Sequence, residues 1–159
     1  MGKSFVMKLY LSLLLSLFFF SATSQTLNDS LKQQLIKDWG RAKVYTQEYL
    51  DAMPANKYGF RPVDSMRSFA EQMLHLASAN AYFASVSTGV RSPIFSQNLE
   101  KSPTAGKKDS VVYYVNTSYD LIINSLKNMD AGKLRDIHVI KMKFLVAFIL
   151  GVISTVNIQ

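Results

Sequence analysis

The 159-residue chain has no cysteine and only two histidines. The first absence excludes disulfides, thiolate zinc sites, iron–sulfur ligation and a cysteine nucleophile. The second leaves His75 and His138 as the whole supply of imidazole, so no centre built on three histidines can be completed within the chain. G-x-S-x-G, H-E-x-x-H and a phosphate-binding glycine loop are also missing, together with the hydrolase, metalloprotease and nucleotide-binding readings they carry. No internal repeat and no strand-like alternation occurs. A chain of this length makes one domain, because single hydrophobic cores usually serve roughly 100–200 residues.

The charge excess is small. The sequence carries 18 basic and 11 acidic residues, formally +7. Residues 1–24 have the organisation of a secretory signal peptide. Lys3 and Lys8 form the basic start, Leu9 to Phe20 form an apolar run broken by Ser12 and Ser16, and Ala22 and Ser24 stand where a small-residue cleavage motif belongs. The run is shorter than the ~20 residues of a comfortable membrane span. Export to the periplasm or medium is therefore expected, with no stable membrane span after cleavage. Removing Lys3 and Lys8 lowers the net charge to +5. The remaining basic residues fall in pairs, Lys107-Lys108 and Lys141/Lys143, without a nucleic-acid motif, so nucleic acid is not expected as a partner.

From Leu27 the apolar spacing is helical. Leu31, Leu35, Trp39, Ala42, Tyr45, Tyr49 and Met53 recur in steps of three and four, which predicts a helix capped by Asn28 or Asp29 and ended by Pro54. In the connector Ala55 to Val63, the pair Tyr58 and Phe60 is expected to cover the bundle end. A second helix is predicted from Asp64 to Val86, with Met66, Phe69, Met73, Leu76, Asn80 and Phe83 as its seam and Leu74, Ala77 and Ala81 widening the apolar arc. Residues 87–109 contain Gly89, Pro93, Pro103 and Gly106 and read as a long crossover. A third helix follows from Asp109 or Ser110, with Val111, Val115, Ser118, Ile122, Leu126 and Met129 in register. The fold class is all-α, an up-down four-helix bundle with one long crossover loop. Its fourth helix is atypical or incomplete, because Phe144 to Ile153 has no polar side chain and therefore no wet face.

The stretch from Trp39 to Ser85 resembles the DinB/YfiT-like superfamily of helical bundles, described as metal-dependent hydrolases or thiol transferases. The resemblance is carried by a first helix ending in Met53-Pro54, by the connector YGFRP (residues 58–62), and by EQMLHLA (residues 71–77), which places one histidine on the second helix. It covers roughly residues 30–135, and the DinB-like domain is expected over 25–159. It implies that His75 is the first metal ligand and that the cofactor is a divalent ion, zinc or nickel, acting on a small-molecule substrate. It also implies that the other two ligands come from an H-x-x-x-H pair on the last helix. This sequence has KFLVAFILGVISTVNIQ (residues 143–159) there, without histidine or carboxylate. The similarity is expected to stop near Asp136, where the reading frame is expected to be truncated or shifted.

A catalytic divalent ion needs about three protein ligands and an open position. Beside His75 the sequence offers Glu71, one turn earlier, to orient the ring. Asp136 and His138 could replace the missing ligands only from outside the family's positions. Taken by themselves the residues leave His75 open between two readings. On a helical wheel it lies opposite the Met66/Phe69/Met73 stripe, so it either faces a cleft between helices or is an ordinary boundary histidine. Arg61 is read as a clamp for an anionic substrate or, more simply, as a helix cap or the partner of a carboxylate. Trp39 and the tyrosines at helical spacing are read as core. An exported protein with an incomplete metal site and little activity is the expectation, and a non-catalytic secreted binding module is the alternative. A bundle lacking a proper fourth helix exposes apolar seams, so homodimerisation or poor solubility is expected.

Overall fold

A computed structural model describes residues 2–135, with side-chain surroundings from Leu27 onward. Three long helices, α1 (Gly2–Ala52), α2 (Phe69–Thr88) and α3 (Lys108–Asn128), account for most of it, and no strand occurs among the described residues. The expected fourth helix, the Phe144 to Ile153 run, Asp136 and His138 lie outside the described residues. No helix among those described is long and apolar enough to cross a membrane.

α1 is continuous through Asn28 and Asp29, so neither caps its start. No proline interrupts residues 2–52, and polar Asn, Asp and Ser are tolerated within a helix when nothing stronger breaks it. Pro54 ends the helix as expected, in extended geometry at φ −61° and ψ 142°. The buried stripe of α1 is Leu35, Trp39, Ala42, Thr46 and Leu50. It follows the expected one up to Ala42 and then departs from it, since Tyr45 is 38% exposed. Thr46 replaces it because its hydroxyl meets Tyr119 Oη at 2.8 Å inside the bundle, which satisfies a polar group that hydropathy alone would put outside.

α2 starts five residues later than expected, at Phe69. Asp64 sits in a turn, and the cap is Ser68. Its hydroxyl accepts from Glu71 N at 3.2 Å, while Glu71 Oε2 accepts from Ser68 N at 2.7 Å. This reciprocal capping box is written in the sequence as S-x-x-E. The buried face of α2 is made of small residues, Ala70, Ala77, Ala81 and Ala84, with Leu74 and Asn80. Met66, expected in the seam, is 52% exposed, and Phe69, Met73, Leu76 and Phe83 are only partly buried. Small side chains let α2 approach α3 closely, so the larger residues flank the contact. α3 buries Val111, Val115, Ser118, Ile122 and Leu126 as expected, joined by Tyr119 and Ser125.

Both α2 and α3 begin at the C-terminal end of α1. Ala70 N donates to Tyr58 O at 2.9 Å, and Tyr58 Oη donates to Leu50 O at 2.8 Å. Lys108 Nζ donates to Met53 O at 3.0 Å and to Asp51 O at 3.2 Å. At the other end Lys32 Nζ donates to Lys127 O and Met129 O at 2.8 and 2.7 Å. Each antiparallel helix thus caps the other's terminal carbonyls with a lysine, favourable both as hydrogen bonds and against the helix dipole. α2 and α3 run parallel, which requires the long crossover. That crossover is structured: Gly89 ends α2 with φ +74°, two short 3-10 turns follow at Pro93–Phe95 and Leu99–Lys101, and Leu99 is fully buried. Of the connector's aromatic pair only Tyr58 packs inside. Phe60 is 54% exposed.

Candidate functional site on α2

His75 lies one turn past Glu71 on α2, with about half of its side chain exposed. Its partner is Glu100, held on the crossover by the buried Leu99. His75 Nδ1 is 2.9 Å from Glu100 Oε1, and Arg67 Nε donates to Glu100 Oε2 at 2.8 Å. Burial pushes the Glu100 carboxyl up, but the hydrogen bonds and charges of Arg67 and His75 outweigh it and hold it below the usual glutamate range. An ionised carboxylate only accepts, so Nδ1 carries a proton, and whenever the ring is neutral Nε2 keeps its lone pair.

Glu71 does not orient His75. Its Oε1 accepts from Arg61 Nη2 at 2.7 Å and its Oε2 belongs to the capping box. The backbone N–H of Ser68 and the Arg61 guanidinium hold its carboxyl below the ordinary value. Arg61 also donates from Nη1 to Met66 O at 2.6 Å, so it pairs and caps, the simpler of its two expected roles. Trp39 is buried in the core as expected and meets Tyr119 edge-on, with ring centroids 5.9 Å apart. Of the other tyrosines read as core, Tyr113 is 58% exposed.

A carboxylate on one ring nitrogen and a free lone pair on the other is how ligating histidines are oriented. Among the described residues no group of three His, Cys, Asp or Glu could hold an ion. The Glu100 carboxylate on the ring is itself paired with the Arg67 guanidinium. Among the described residues the donor set therefore supplies one ligand position, fewer than the about three a catalytic divalent ion needs.

The same face of α2 continues into a second feature. Ser78, Tyr82 and Ser85 follow His75 by three, seven and ten residues, and with Arg91 and Phe95 they line a groove of about 590 Å³. Glu100 and this groove were invisible to pattern reading. Both join α2 to the crossover, and no local periodicity links positions 25 residues apart.

An all-α bundle with parallel second and third helices joined by a long crossover is the class of protein this chain defines. The chain belongs to the DinB superfamily, whose family model matches residues 39–150. The match passes Asp136, where the resemblance was expected to stop, and so includes much of the terminal apolar run. No curated protein and no solved structure matches the chain.

Proposed function

We propose that the protein is an exported member of the DinB superfamily that descends from divalent-metal-dependent hydrolases or thiol transferases and serves as a binding module, its metal site being incomplete. One observation carries this reading: among the described residues the His75–Glu100–Arg67 set supplies a single oriented imidazole nitrogen, and its carboxylate is already paired with the Arg67 guanidinium. The sequence adds that only His138 remains as a second imidazole. The basic start, apolar run and small-residue exit of residues 1–24 support export. Zinc or nickel is the ion of the ancestral site, and a small molecule remains the class of ligand.

Metal content of the purified protein, before and after incubation with zinc or nickel, tests the reading. The expected result is substoichiometric metal, unchanged in His75→Ala. Stoichiometric metal that disappears in His75→Ala would instead restore the metalloenzyme. Fractionation and N-terminal sequencing test export, with Gln25 as the expected first residue of the exported protein.

A further inference from the structure

We infer that the groove along the second half of α2 binds a small organic anion, a monocarboxylate carrying an aromatic or aliphatic body. The inference rests on the reading of the chain as a binding module and names the ligand class. Ser78, Tyr82 and Ser85 come from α2, and Arg91, Pro93 and Phe95 come from the crossover. The volume of about 590 Å³ falls within the ~300–1,000 Å³ usual for small-molecule sites. Tyr82, 61% exposed, and Phe95 offer ring surface to an apolar body. Phe95 is set in place by an edge-on contact with Tyr114 of α3, with centroids 6.4 Å apart.

Charge selects the head group. Among the described residues Arg91 is the only charged one lining the groove, and it forms no ion pair with any described carboxylate. The C-terminal end of α2 nearby contributes about half a negative charge at most. Two of its carbonyls are already satisfied, Ser85 O by Gly89 N at 2.8 Å and Ala84 O by Thr88 Oγ1 at 2.7 Å. A full guanidinium charge outweighs that residue of dipole, so the groove is net positive. The planar fork of arginine matches both oxygens of a carboxylate. The serine hydroxyls can donate further hydrogen bonds beside it. Neither His75 nor Glu100 lines the groove, so it is separable from the ancestral ligand position.

Calorimetric titration of the purified protein with phenylacetate and octanoate, each against its neutral amide, tests the assignment. One-site binding of an acid is expected, with its amide weaker by about tenfold or more, the cost of a charge-assisted hydrogen bond. Arg91→Gln should erase the difference between acid and amide, Arg91→Lys should keep part of it, and Tyr82→Ala should weaken both. Arg91 is exposed, so the melting curve of Arg91→Gln should match the parent and exclude misfolding. Equal binding of acid and amide, an unchanged acid affinity in Arg91→Gln, or no saturable binding up to about 10 mM would each overturn the assignment. Stoichiometric metal in the same preparation would count against the metal-free reading alone, because the dependence on Arg91 is read independently.

Discussion

Leu99→Ala separates the two ways in which the crossover is fastened to the bundle. Leu99 is fully buried, while its neighbour Glu100 pairs with Arg67 and hydrogen-bonds His75, both about half exposed. Truncating a buried leucine removes three carbons, about 2.4 kcal/mol of transfer free energy at ~0.8 kcal/mol each, and leaves a cavity that raises the total to about 3–5 kcal/mol. The two contacts, at about 0–1 kcal/mol each for exposed partners, make Glu100→Gln the milder change. Urea denaturation followed by far-UV circular dichroism should therefore show Leu99→Ala less stable than Glu100→Gln by about 2 kcal/mol, with similar m-values. Limited proteolysis should cut within residues 89–107 first in Leu99→Ala. A loss below about 1 kcal/mol in Leu99→Ala, or a larger loss in Glu100→Gln, would refute burial as the main fastening.

Three further outcomes follow from single contacts. The Glu71 carboxyl is held below its ordinary value of 4.5 in the folded state, so its contribution is present above that pH and disappears as pH falls through the lowered value. Acid unfolding of Glu71→Gln should accordingly be less steep below pH 4.5 than that of the parent. Burial and the nearby charges of Asp51 and Asp109 push the Tyr58 phenol up to about 12, so its stabilising contribution is present below the ordinary value of 10.0 and is lost as pH rises toward 12. An ultraviolet phenolate titration should show a late-ionising tyrosine that Tyr58→Phe removes. Tyr119→Phe strands the buried Thr46 hydroxyl and should cost about 1–3 kcal/mol, whereas Thr46→Val with Tyr119→Phe should cost less than the sum of the two single changes.

Much of the fold was legible because α3 and the Leu31–Ala42 stretch of α1 obey the helical period with ordinary apolar residues. The register of Val111, Val115, Ser118, Ile122 and Leu126 needed nothing beyond spacing, and Pro54 fixed the end of α1. The α2 start was also written in the sequence, but as the Ser68/Glu71 capping box, while Asp64 offered a competing cap that lies within a turn. The α2 seam misled because residue size pointed to Met66, Met73 and Phe83. Close approach to α3 required alanines instead. Thr46 and Asn80 were hidden for a related reason: a polar side chain reads as solvent-facing until its partner, Tyr119 or Ser118, is brought across the bundle.

By itself the sequence determined the helical class, the crossover and the position of His75 on the second helix, because all three depend on local period, proline and glycine placement, and residue identity. It also limited the supply of metal ligands through its histidine and cysteine counts. The tertiary structure alone decided what His75 touches. Glu100 reaches the ring because the crossover folds back along α2 and buries Leu99, and Glu71, the sequence neighbour that could have done so, is occupied by Ser68 and Arg61. The groove beside Arg91 has the same origin, since contacts between a helix and a distant loop are set by chain closure and burial, which no short-range pattern encodes.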